Sequence, residues 1–154
     1  MRNSRVTIRY AKALLQFSIE QNKLEGSYRD MLLLSSVCME NKDLSLLLKS
    51  PIIKTDQKIK IFNEIFESHI GRLSTLFVNI IMSKKRESLL EGIAKSFIEI
   101  YKQKNNIESA TITTAVKISE ELKGKVVSYI KSQTNNKVEL NEIVDESIIG
   151  GAVI

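Results

Sequence analysis

Apolar positions recur every three to four residues through most of the first hundred residues, and that spacing predicts helices. A first helix runs from about Val6 to Gln21 and a second from about Leu24 to Asn41. The second carries Leu24, Tyr28, Met31, Leu32 and Cys38 on related faces. A short third, in "DLSLLLKS", starts with Asp43 as its expected cap and is stopped by Pro51. The fourth follows Thr55, read as an N-cap, with Ile59, Phe62, Ile65 and Phe66 at helical spacing. Gly71 separates it from a fifth, Arg72 to Lys84. The sixth, Glu87 to Lys104, places Leu89, Leu90, Ile93, Phe97, Ile100 and Tyr101 on one stripe.

After Asn106 the period changes. "SATITTAV" is rich in β-branched residues and reads as a strand. Ser119 then opens a helix with Leu122, Val126, Tyr129 and Ile130 on one side, "KVELNEIV" is a second strand, and "IIGGAVI" begins a third. The expected fold is mainly α: a six-helix N-terminal bundle at 1–105, then a small α/β domain of strand–helix–strand–strand order at 106–154. No internal repeat or low-complexity tract interrupts it.

Two helices are apolar over a wider arc than a surface helix needs. In the first, Val6, Tyr10, Ala13, Leu14 and Phe17 form one face, which Ile8, Ala11, Leu15 and Ile19 widen to about 240°. In the fifth, Leu73, Leu76, Phe77, Ile80 and Ile81 do the same, with Val78 and Met82 widening the arc to about 240°. Either both helices are central and fully surrounded, or one edge of each is left open as a groove for a partner helix. The pattern leaves both readings open.

Composition narrows the chemistry. Hydrophobic residues make up 43% of the 154, enough for a packed core, and charged residues 27%. One cysteine and one histidine give neither a disulfide framework nor a typical zinc site, and the lone thiol suits a reducing compartment. Cys38 reads as a core residue and His69 as a solvated histidine near a helix end. The start has no apolar signal core, and the run from Leu73 to Ser83 is far shorter than the ~20 residues of a membrane span. Glu120-Glu121 suit a helix start and Asp145-Glu146 a turn, so no acid–base pair suggests an enzyme. No cofactor motif is present: "GxxxxGK[ST]" is missing, and Gly150-Gly151 read as a tight turn or bulge in the sheet rather than a phosphate cradle.

Charge keeps one rival class in view. Residues 1–105 hold 18 Lys/Arg against 11 Asp/Glu, a formal +7, whereas 106–154 hold 5 against 7, a formal −2. A basic helical domain with "SKKRES" is compatible with binding nucleic acid or acting as an adaptor. Against this, aromatics are not interleaved with the basic stretches as a single-strand binder requires.

Longer stretches resolve the choice. "RYAKALLQFSIEQNKLEGSYRDM", "KSPIIKTDQKIKIFNEIF", "LSTLFVNIIMSKKRESLLEGIAKSFIEIY", "ATITTAVKIS" and "VELNEIVDESIIGGAVI" resemble, in order, the delta subunit of F-type ATP synthases. Its mitochondrial counterpart is the oligomycin-sensitivity-conferring protein. The most specific pieces are Tyr10-Ala11-Lys12-Ala13, Lys85-Arg86, and Val144-Asp145 followed by Ile149-Gly150-Gly151.

The resemblance implies a non-catalytic subunit of the peripheral stalk, the stator that holds the head still during proton-driven ATP synthesis. It implies two partners. The N-terminal helix of an alpha subunit lies between the first and fifth helices, and the b-type stalk meets the C-terminal domain. Carried over by position, the groove residues are Tyr10, Ala13 and Leu14, with Phe77, Ile80 and Ile81, and Tyr28 packs close by. The expected location is the cytoplasmic face of a bacterial inner membrane, peripheral to it. The family also continues beyond the position of Ile154, with another strand and a terminal helix.

Overall fold

The computed structural model describes residues 4–133 and 136–147, and the backbone of 152–153. The chain is mainly helical and divides into two compact units, Met1–Tyr101 and Lys102–Ile154. The helices of the first unit are α1 (Arg5–Glu20), α2 (Leu24–Glu40), α3 (Lys42–Lys49), α4 (Thr55–Phe66), α5 (Arg72–Ser83) and α6 (Leu90–Lys104). The last of these runs past Tyr101 into the second unit.

Helix starts are set by local chemistry. Ser4 caps α1, its hydroxyl oxygen accepting from the Thr7 N–H at 3.2 Å. Asn41, rather than the expected Asp43, caps α3: its side-chain oxygen accepts from the Leu44 N–H at 3.1 Å. Asp43 falls inside the first turn, where its charge still suits the helix dipole. Thr55 is likewise the first helical residue, not the cap. Lys54 occupies the cap position in extended backbone, without a side-chain bond, and Asp56 supplies the negative charge. Glu87–Leu89 form a turn of 3-10 helix before α6 instead of its first α-helical turn.

The core of the first unit is Ala11, Leu14, Met31, Leu34, Phe62, Phe66, Val78, Ile81, Met82, Leu90, Ile93, Ala94 and Phe97. The Phe62 and Phe66 rings stack at 4.5 Å. Several polar groups between the helices are matched to one another. Ser18 donates to Ser27 across α1 and α2 at 2.8 Å. Asp30 on α2 reaches the start of α5, accepting from the Gly71 N–H at 3.0 Å and the Ser74 hydroxyl at 2.6 Å. A carboxylate there satisfies an otherwise orphaned N–H and meets the positive end of the helix. Gly92 lets α6 close on α1, because a Cβ at that position would stand 3.0 Å from Thr7 Cγ2.

Cys38 is buried in α2, and burial, followed by the nearby Glu91 carboxylate, pushes its thiol from the ordinary 9.0 up to about 11. The folded chain thus keeps a proton that the unfolded chain gives up first. The stabilisation is complete below pH ~9 and is lost as pH rises towards about 11. Unfolding free energy measured across this window should fall more steeply for the native chain than for Cys38→Ala. Parallel slopes would show that the thiol does not contribute.

The second unit contains β1 (Ile107–Thr114), α7 (Glu120–Gln133), β2 (Lys137–Val144) and β3 (Ala152–Val153), in the sheet order β2-β1-β3. β1 and β2 are parallel, with Ile107 opposite Lys137 and Thr114 opposite Val144, so α7 is the crossover that parallel pairing requires. β3 is antiparallel to β1, Thr113 opposite Val153. Ile112, Thr114 and Ile118 are buried here. The stripe expected on α7 is only partly covered: Val126 and Ile130 are half-buried, whereas Leu122 and Tyr129 are 46% and 64% exposed. A sheet this small offers too narrow a face to cover four side chains of one helix.

Ser119 does open α7, its hydroxyl accepting from the Leu122 N–H, and Glu142 on β2 accepts from the Ile118 N–H at 2.8 Å just before it. Asp145 folds a turn by accepting from the Ser147 hydroxyl and N–H, bonds that hold its carboxyl below the usual range. The Gly150-Gly151 pair lies outside the described residues.

Candidate docking surface on α1 and α5

Each of these helices shows two apolar rows, and only one is covered. On α1 the inner row is Ala11, Leu14, Leu15 and Ser18, all buried. Beside it run Tyr10, half-buried, then Ala13 and Phe17, both exposed, Phe17 to 48%. On α5 the inner row is Ser74, Val78, Ile81 and Met82. Its neighbour is Leu73 and Phe77, half-buried, with Leu76 and Ile80 exposed to 52% and 57%. The spacing of three and four residues keeps each row on one side of its helix.

The two outer rows lie near each other at both ends. The Arg86 guanidinium, three residues beyond α5, donates through Nη1 to the Tyr10 hydroxyl in the first half of α1. At the other end, Phe17 near the close of α1 shares a cavity of about 400 Å³ with Leu73 and Leu76 at the start of α5. The helices therefore run in opposite directions, with an open apolar strip along both. The cavity's remaining wall includes Gly26, Ser27 and Asp30 of α2, and Gly71. Asp30 thus fixes the α5 start that forms one side of the hollow. A larger hollow of about 810 Å³ lies between the 50–56 segment and Lys85–Ser88, but lysines and serines line much of it.

The residues expected in the groove separate into three groups. Tyr10, Ala13, Phe77 and Ile80 lie on the outer rows. Leu14 and Ile81 are each 1% exposed and belong to the core. Tyr28 stacks on Tyr101 of α6, ring centroids 3.8 Å apart, and the Tyr101 hydroxyl donates to Glu25 at 2.7 Å. Phe17, Leu73 and Leu76, which were not among them, supply the apolar wall of the cavity. Their signal was present: Phe17 follows Tyr10 by seven residues and Leu76 precedes Ile80 by four, so each continues its row.

Cations gather at the Tyr10 end. Arg9 and Arg86 place their guanidinium carbons 5.8 and 5.6 Å from the Tyr10 ring centroid, within cation–π range. Lys12, Lys84 and Lys85 are exposed nearby in sequence.

The profile of the ATP synthase delta (OSCP) subunit family matches residues 6–154. ATP synthase subunit delta of Christiangramia forsetii is 32% identical over 154 residues, which is 100% of this chain and 83% of that relative. The subunit delta of Chlorobaculum parvum is 33% identical over 146 residues, 95% of this chain and 81% of its own. Among solved structures, a chain of the mitochondrial ATP synthase hexamer of Toxoplasma gondii superposes with a TM-score of 0.78. That match covers 98% of this chain and 86% of the other at 21% identity, which shows a shared fold.

Proposed function

Because the chain belongs to the ATP synthase delta (OSCP) subunit family, we propose that it joins head to stalk by gripping a partner helix along α1 and α5. It is a non-catalytic, peripheral-stalk subunit of an F-type ATP synthase. In this reading 1–105 acts as a six-helix bundle and takes the N-terminal helix of an alpha subunit. The α/β domain at 106–154 meets the b-type stalk, and exposed Leu122, Tyr129, Ile143 and Val144 are apolar surface available for that contact. The subunit sits at the cytoplasmic face of a bacterial inner membrane. No helix among the described residues is long and apolar enough to cross a membrane, which agrees with attachment through other subunits.

One observation supports the docking reading above the rest: Phe17, Leu76 and Ile80 remain about half exposed on helices whose opposite sides form the core. Covering the exposed half of each such side chain would recover roughly 0.8–1.5 kcal/mol, half of what full burial is worth. An amphipathic helix laid between the rows would cover them with i, i+3, i+4 and i+7 anchors of its own.

Titration calorimetry of the full chain with a peptide of the alpha-subunit N-terminal helix tests this. Saturable binding is expected, and Tyr10→Ala should weaken it by about 2 kcal/mol while leaving the helical signal unchanged. Absence of binding to the native chain would remove the groove. Unchanged affinity in Tyr10→Ala would remove Tyr10 from it.

A further inference from the structure

Resting on the docking of a helix along α1 and α5, we propose that Arg86, assisted by Arg9, binds a carboxylate on that helix. The carboxylate stands about two turns from the apolar side chain that the helix seats against Phe17 and Leu76. The spacing comes from α1: Tyr10 and Phe17 mark the two ends and are seven residues apart, roughly 10 Å at 1.5 Å per residue. A docked helix running alongside covers the same distance in the same number of residues.

Three features make this end selective for acid. First, Arg86 and Arg9 are exposed and form no ion pair among the described residues. Some lysines elsewhere are paired, such as Lys49 and Lys95 with Glu91, and are not available in the same way. Second, Arg86 is held ready. One guanidinium nitrogen donates to the Tyr10 hydroxyl and the group lies against the Tyr10 ring. The guanidinium has five N–H donors in a rigid fork, so donors remain for a carboxylate, and a positioned side chain loses less freedom on binding. Third, the ends differ in charge. Lys23 and Arg72 border the apolar cavity, but there Asp30 is present too, already committed to the α5 start. A helix with its acid at the Tyr10 end and its bulky apolar residue at the Phe17 end meets both chemistries; the reversed one brings its carboxylate to a mixed site where Asp30 offsets Lys23 and Arg72.

Calorimetry with the same alpha-subunit peptide, at 50 mM and 500 mM NaCl, tests the carboxylate contact separately from docking. Arg86→Gln should weaken binding about tenfold at low salt and about threefold or less at high salt, since screening removes a charge effect but not a packing one. Arg86→Lys, which keeps the charge without the fork, should recover part of the loss. A peptide with its Glu and Asp residues amidated should bind native and Arg86→Gln chains alike. If Arg86→Gln binds as well as the native chain, or its loss is independent of salt, the carboxylate contact is overturned while docking stands. If the native chain binds no peptide at either salt, docking fails and this contact with it.

Discussion

Lys58→Ala is expected to cost about 3–5 kcal/mol of folding stability, a large share of what a domain of this size has. The Lys58 side chain is 3% exposed, and its ammonium donates to Glu87 Oε1 at 2.6 Å and to the Leu48 carbonyl at 3.0 Å. Removing it leaves the Glu87 carboxylate, only 10% exposed, without its cation. The other oxygen, Oε2, already has no hydrogen-bond partner among the described residues. A buried charge in that position must be neutralised or exposed, and either route loosens the turn that precedes α6. Three segments feel the loss, because the ammonium ties the end of α3 and the start of α4 to Glu87. The neighbour of Glu87 is Arg86, so the same pair steadies the cationic end of the proposed docking surface.

Replacing both partners should hurt less than replacing one. Lys58→Met with Glu87→Leu removes both charges and fills their space with apolar atoms, which for buried pairs is often close to neutral. Urea unfolding of Lys58→Met, Glu87→Leu and the double variant gives the coupling directly. A loss below about 1 kcal/mol for Lys58→Ala would show that water reaches Glu87 readily and that the pair is not a structural tie.

This pair also shows where the sequence stops being informative. Lys58, Phe62 and Phe66 are four residues apart, so position 58 lies on the buried stripe of α4. A lysine there reads as an interruption of the stripe, and its partner is 29 residues further along, beyond any local pattern. What local spacing does carry came through well: the helices near their expected places, the change of period after Asn106, and a strand on either side of α7. Caps were harder, because Asn41 and Asp43 are equally good residue types and only the geometry of the Leu44 N–H chooses between them.

The open apolar face of α1 and α5 was half legible for a similar reason. Arc width is a property of one helix, and it marked α1 and α5 correctly as apolar on too many sides. Which side faces inward depends on where other helices lie, and nothing in the spacing of Leu14 and Phe17 distinguishes them. Leu14 and Ile81 went inward, Phe17 and Leu76 outward. Tyr28 was drawn to α6 by Tyr101, an aromatic partner 73 residues away in sequence.

The same division yields a test in which folding and binding separate. Leu76→Asp and Ile80→Asp change side chains already 52% and 57% exposed, so each should alter stability by no more than about 1 kcal/mol. Under a docked helix, the new carboxylate would be cut off from water amid apolar side chains. Burying it unpaired should cost about 3 kcal/mol or more, a loss of over a hundredfold in affinity for the alpha-subunit peptide. Ile81→Asp, one residue along and 1% exposed, should instead disrupt the fold itself. Leu46→Asp, on α3 and 66% exposed, serves as the control and should change neither property. Thermal melts followed by circular dichroism report the fold, and calorimetry reports the peptide. Native-like binding by both the Leu76 and Ile80 variants would mean that the apolar strip between α1 and α5 holds no helix, however open it stands.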